Sequence, residues 1–259
     1  MRKRNWIILL CIAFGLCIAL VFVLFYRAPL RLRFEEATRP ALPAAQPFFQ
    51  TNTGDVRAPF MAPAAVIVAS DPASVHLAVP FLSQAPTRDW GMPYQETCEE
   101  ASMLMVDAFF RGKKEAFSPE EGNKLLLDLL ALEDRMKKTP DLSAVEVGEV
   151  FYAGFNYKAS VEPLTSADDL KRVLAQGYPV IVPAYGKALK NPHFHNGGSI
   201  YHMLVVTGYV KDRFITNDPG TKYGKDFTYS MDNLLKAAHD WNNGDVIHGK
   251  PVMIVAKPR

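Results

Sequence analysis

Residues 178–218 decide the fold: YPVIVPAY (178–185), YHMLVVTGYV (201–210) and RFITND (213–218) follow one another with Gly, Asp and Asn in the gaps. Such runs of β-branched and aromatic residues suit strands that share a core. DFTYS (226–230) and VIHGKPVMIVAK (246–257) continue the pattern, with one helix predicted among them at about 230–241. Ahead of Tyr178 the period changes. Within Glu96–Phe110, Ala101, Met105, Ala108 and Phe109 recur at three- and four-residue spacing, which predicts a helix with one buried face. Ser118-Pro119-Glu120-Glu121 is a capping box with proline at the first helical position. It opens a helix that runs through the leucines at 125–132 toward Lys137 and Lys138. Shorter helices are expected over 143–153 and 166–176, the second stopped by Gly177. A helical first half followed by mostly antiparallel strands is an α+β layout, with neither a βαβ repeat nor a Gly-rich phosphate loop.

The chain has 259 residues, 49% hydrophobic and 22% charged, which excludes a disordered or collagen-like protein. WIILLCIAFGLCIALVFVLFY (6–26) is uncharged and long enough, at 1.5 Å per residue, to cross a ~30 Å hydrocarbon core. Residues 1–27 therefore read as a single-pass anchor in the cell membrane. Arg2, Lys3 and Arg4 favour a cytoplasmic N-terminus and an extracytoplasmic body, although Arg27, Arg31 and Arg33 follow on the far side. Pro29, Pro40, Pro43, Pro47, Pro59, Pro63 and Pro72 make 28–75 a proline-rich tether, in which AVIVAS (65–70) is able to pair as an edge strand. The folded domain is expected over 76–259. Of 29 basic residues, set against 27 acidic ones, six precede residue 34, so the body is mildly acidic. That balance argues against non-specific nucleic-acid binding, which needs clustered Lys and Arg.

Cys11 and Cys17 lie in the apolar run and Cys98 alone belongs to the body, so no intrachain disulfide or multi-cysteine zinc site forms there. Cys98 falls in the first turn of its helix, where free N–H groups and the dipole favour a thiolate. Glu99 and Glu100 oppose that charge, so activation calls for an imidazole. His202 opens the most apolar strand and is held rigidly, as a general base must be; a satisfied structural histidine fits the same position. His193 and His195 sit in the polar stretch GKALKNPHFHNGGS (186–199), without a third ligand, and read as part of a cleft wall or lid rather than a metal site. The group that orients His202 is Asn217 or Asp218. A tight turn at Lys211-Asp212 puts Val205 opposite Asp218, so Asp218 reaches His202 only through a bulge or shifted turn, and simple parity favours Asn217. Gln84 and Gln95 both precede Cys98 as amide donors for an oxyanion.

VPFLSQ (79–84), ETCEEAS (96–102), NPHF (191–194), YHMLVVTGY (201–209) and NDPGT (217–221), in this order, resemble the papain-like bacterial peptidases related to the double-glycine leader peptidases that process bacteriocin precursors. These are cysteine peptidase family thirty-nine and its stand-alone relatives, and the resemblance covers roughly residues 77–256. It implies a papain-like fold whose helical and sheet halves meet at a cleft, with Cys98 as nucleophile, His202 as general base, Asp218 as orienting acid and Gln84 holding the oxyanion. The stretch APTRDWGMPYQ (85–95) is longer than the Gln-to-Cys spacing of the transporter-linked members, and the chain has no P-loop of its own. The expectation is a monomeric, membrane-anchored cysteine peptidase with a peptide or protein substrate, no nucleic-acid partner, and neither cofactor nor metal. A catalytically silent binding module of the same fold, and an amidase or acyltransferase using the same triad, are the alternatives.

Overall fold

The computed structural model describes residues 39–48 and 72–259. The apolar run at 6–26, AVIVAS at 65–70 and most of the proline-rich stretch lie outside the described residues. Among the described residues no helix is long and apolar enough to cross a membrane.

The architecture is α+β. Three helices come first: α1 (Cys98–Phe110), α2 (Pro119–Met136) and α3 (Ala144–Phe155). Their ends follow from sequence. Ser118 Oγ accepts from the Glu121 N–H with Pro119 at the first position, and α2 stops at Lys137 in the left-handed region. Ser143 and Glu146 form a reciprocal capping box for α3, which ends at Asn156, also left-handed. One expectation is corrected at α1. Its thirteen residues are all buried, Glu99, Glu100, Ser102 and Asp107 included, because it runs between the sheet and the other two helices. Spacing of apolar residues marks only the face on the sheet; the polar residues face neighbouring helices and loops.

The strands are β1 (Ser74–His76), β2 (Lys158–Pro163), β3 (Val180–Tyr185), β4 (Tyr201–Val210), β5 (Arg213–Asn217), β6 (Phe227–Ser230) and β7 (Val252–Lys257). They form one sheet of order β2-β7-β3-β4-β5-β6, with β1 paired to the far end of β4, and every ladder is antiparallel. Three short helices complete the fold: α4 (Ala167–Ala175), α5 (Gly186–Leu189) and α6 (Met231–Ala237). Strand β4 is buried from Tyr201 to Tyr209, which is why it reads as a continuous apolar run and not as an alternation.

Several boundaries differ from the sequence expectation. Helix α6 ends at Ala237 and not near Trp241, because Ala238 turns extended to bridge Ala184 while the His239 N–H donates to Pro183. Residues 246–248 form a 3-10 turn, so the last strand is only Val252–Lys257. Strand β2, KASVEP, was not anticipated; it is a half-exposed edge strand whose Lys, Glu and Pro are typical of protected edges and weak as a strand signal. The polar stretch 186–199 begins with α5. The folded body also takes in part of the expected tether. Ser74–His76 pairs with Gly208–Val210. The Gln46 N–H donates to His76 O at 2.7 Å, the Ala78 N–H donates back to Gln46 O at 2.7 Å, and Phe48 packs on Phe109 and Phe110.

Candidate active site

The register of β4 against β5 sets the site. From the turn, Val210 pairs with Arg213 and Gly208 with Ile215; beyond Thr207 the ladder shifts by one, so Val206 pairs with Thr216 and Val205 with Asn217. Thr207 is the extra residue of a bulge, held by its Oγ1 bond to Ile215 O and by the Leu77 N–H on its own carbonyl. With Asn217 opposite Val205, the next residue falls on the face that carries His202. His202 Nε2 lies 2.8 Å from Asp218 Oδ1. Asn217 is turned away from the ring: its side-chain amide donates to Val79 O at 2.9 Å and its carbonyl accepts from the Asp226 N–H. Of the two residues that strand parity left open, the bulge thus brings Asp218 to the imidazole.

Asp218 is fully buried with both oxygens engaged. Oδ1 also accepts from the Gly220 N–H at 3.0 Å, and Oδ2 accepts from Tyr229 OH at 2.5 Å and Asn191 Nδ2 at 3.2 Å. Burial opposes ionisation of this carboxyl, but the His202 ring and these donors outweigh it and hold Asp218 below the usual aspartate range. Tyr229 and Asn191 were not singled out from sequence. Tyr229 pairs with Phe214, and Phe214, Thr216 and Asp218 share one strand face, so the signal was present once the register was known. Phe194 and the His202 ring make a T-shaped contact, 5.3 Å between centroids. Gly220 faces the same ring: a Cβ there would stand 2.8 Å from His202 Cε1 and 3.0 Å from Phe194 Cε1.

Cys98 is the first residue of α1, so its N–H has no acceptor within the helix. Its sulfur meets two groups, the Glu99 carboxyl at 2.9 Å and the Met203 N–H at 3.4 Å. Burial first, then the charge and hydrogen bond of Glu99, push the Cys98 thiol well up. Burial likewise raises Glu99 to about 8, so the pair carries little negative charge at neutral pH. Sequence marks Glu99 only as an opposing charge; its direct bond to the sulfur is a product of the fold. Among the described residues His202 Nδ1 has no hydrogen-bond partner, and no hydrogen bond joins Cys98 to His202.

The VPFLSQ segment is tied to this centre twice, by Asn217 on Val79 O and by the Gln84 N–H on Pro219 O at 3.1 Å. Thr97 Oγ1, just ahead of the cysteine, donates to Gln84 O at 3.0 Å. Gln84 is buried; its amide nitrogen gives one hydrogen to Tyr94 O at 2.9 Å and keeps a second, while Oε1 has no partner among the described residues. Gln95 instead donates to the sulfur of Met92. Cys98, His202, Gln84 and Gln95 line one cleft of about 750 Å³, together with Trp90, Phe194, His195, Ser199 and the Gly220–Tyr223 turn. The His193 ring packs against Tyr223 at 4.6 Å between centroids, tilted by 37°, so the 186–199 stretch supplies part of the cleft wall.

Residues 76–244 match the Peptidase_C39 like family, and the chain belongs to it. No curated protein matches the chain. Among solved structures, the chain is similar to that of a Bacillus anthracis protein described as a C39-like peptidase, at 16% identity and a TM-score of 0.49, over 72% of this chain and 98% of the other.

Proposed function

We propose that this member of the Peptidase_C39 like family is a cysteine peptidase of papain-like construction, held at a membrane by the 6–26 segment with its 76–259 domain outside the cytoplasm. Cys98 is the nucleophile, His202 the general base, Asp218 the group that orients it, and Gln84 a donor to the oxyanion. The observation that carries this reading is the imidazole of His202. Its Nε2 is held by a buried, fully bonded carboxylate at 2.8 Å, and its Nδ1 has no partner among the described residues, in a cleft that Cys98 also lines.

In the reaction, Cys98 Sγ turns from Glu99 toward Nδ1, gives up its proton to the imidazole and attacks the peptide carbonyl carbon, forming a C–S bond. The carbonyl oxygen becomes an oxyanion, for which the Cys98 N–H and the second Gln84 amide hydrogen are the donors. His202, now an imidazolium steadied by Asp218, passes its proton to the leaving amine as the C–N bond breaks. Water, deprotonated by His202, then hydrolyses the thioester and regenerates the thiol.

One observation favours the silent binding module. The sulfur rests on Glu99 and Met203, and its surroundings oppose the thiolate. The two readings part on hydrolysis. Full-length protein is incubated with a defined peptide mixture, beside Cys98→Ala and His202→Ala, and the products are sequenced by mass spectrometry. Cleavage by the wild-type chain that both substitutions abolish supports the peptidase. No cleavage, or cleavage that survives in Cys98→Ala, sinks it.

A further inference from the structure

Among the described residues the cleft is lined by two cations, Arg88 and Lys222, and by the imidazoles of His193, His195 and His202, with no Asp or Glu. This runs against the average of the body, where acidic residues outnumber basic ones once the first 33 residues are set aside. The carboxylate of the centre, Asp218, is buried beneath His202 and does not reach the cleft surface.

Arg88 and Lys222 are also free to take a ligand. Many surface cations of this chain are paired within or between helices, as Arg111 is with Asp107, Lys124 with Asp128 and Lys236 with Asp232. Neither Arg88 nor Lys222 has a carboxylate within salt-bridge distance among the described residues. Each is nonetheless backed by a defined support. Lys222 Nζ lies 4.9 Å from the centroid of the Tyr223 ring, which in turn packs against His193. Arg88 holds the left-handed conformation, φ 67°, at the end of a turn closed by its N–H on Ala85 O. Beside these two cations Trp90 and Tyr223 are 42% and 55% exposed, an apolar surface for the backbone and stems of an extended chain.

We propose that the cleft selects peptide segments bearing carboxylate side chains, with Lys222 and Arg88 as the selecting residues. Resting on the peptidase reading, the carboxylates fall in the first positions after the scissile bond. Gly220 packs against the His202 ring that protonates the leaving amine, and Lys222 follows it by two residues, so this cation stands on the leaving-group side. Two exposed cation–carboxylate contacts give about a fivefold preference at low ionic strength, and salt removes most of it.

The test uses two fluorescein-labelled peptides of one sequence, in one of which a block of three Glu is replaced by Gln. Anisotropy with the full-length Cys98→Ala protein reads binding without turnover. The Glu peptide is expected to bind about fivefold tighter. That margin should vanish in Cys98→Ala combined with Arg88→Glu and Lys222→Glu, and persist when Lys114→Glu and Lys158→Glu replace them. Equal binding of the two peptides, or a preference untouched by Arg88→Glu and Lys222→Glu, overturns the proposal. Inorganic polyphosphate that competes as well as the Glu peptide would make the cleft a general anion site and overturn it too. Wild-type protein is then given both peptides and the products are sequenced. Cuts just ahead of the Glu block support the leaving-side placement, and cuts behind it refute that placement. A retained Glu preference with no cleavage sinks the peptidase reading while the carboxylate selectivity stands.

Discussion

His202 Nε2 and Asp218 Oδ1 stand 2.8 Å apart because β4 carries one residue more than β5 between the pairs Gly208↔Ile215 and Val206↔Thr216. That single insertion decides which of two adjacent polar residues meets the imidazole, and the other becomes a structural tie. Asp218→Ala should lower kcat about a hundredfold or more with binding little changed, because the ring loses its tautomer control and its counter-charge. Asn217→Ala should leave kcat nearly intact and lower stability by about 1–3 kcal/mol, since Val79 O and the Asp226 N–H lose their buried partner. Turnover and urea denaturation measured side by side separate the two. A larger kcat loss for Asn217→Ala would refute the assignment.

Gly220→Ala places a methyl 2.8 Å from His202 Cε1 and 3.0 Å from Phe194 Cε1. The backbone there can accept a side chain, so the ring must shift, tilting Nε2 off Asp218. The expected result is a kcat reduced at least tenfold with a melting temperature lowered by only a few degrees. A variant with wild-type kcat would mean that the imidazole has more room than this packing allows.

Cys98 is held by the same carboxyl that opposes its ionisation. Glu99→Gln removes a carboxyl that becomes charged before the thiol ionises, and offers the sulfur an amide hydrogen, so the pH at which Cys98 is half-reactive toward iodoacetamide should fall by at least about one unit. Site-resolved labelling by mass spectrometry keeps Cys11 and Cys17 from confusing the reading. An unchanged profile would show that Glu99 does not govern the thiol.

Glu100 on α1 and Glu133 on α2 face one another as buried carboxyls. Burial first, then the charge of Glu133, raises Glu100 well above the usual range; burial also raises Glu133. Three of their four oxygens have no hydrogen-bond partner among the described residues. A carboxyl raised in the folded state binds its proton more tightly there than in the unfolded chain, so its stabilising effect is complete below the ordinary carboxylate pKa and is lost as pH rises through the folded value. Urea denaturation should therefore show stability falling more steeply from pH 5 to pH 8 in the wild type than in Glu100→Gln. Equal slopes would mean that this pair does not share a proton.

Much of the fold was legible because its signals are local. The capping residues Ser118 and Ser143 act within three positions of their own helices, and the strands from β3 to β5 are recognisable from composition alone. Strand β2 escaped because an edge strand with one half-exposed face carries little hydrophobic pattern. The polar face of α1 escaped because its burial depends on what surrounds it, which no helical period encodes. The N-terminal apolar run stands as a reading of sequence, outside the described residues.

Sequence by itself determined the α+β layout, the cysteine at a helix N-terminus and the histidine opening the central strand, since each depends on residues within a turn or a strand of one another. Only the folded chain decided the rest. A bulge at Thr207 chose Asp218 over Asn217; it is held by β1 and Leu77, more than 100 residues away in sequence. The lodging of the Cys98 sulfur on Glu99 depends on the Met203 N–H across the α1–β4 interface. The basic and imidazole lining of the cleft gathers residues from three separate loops. The physical reason is the same in each case: side-chain direction and burial follow from register and packing between distant segments, and a one-residue change of register reverses the face on which a side chain appears.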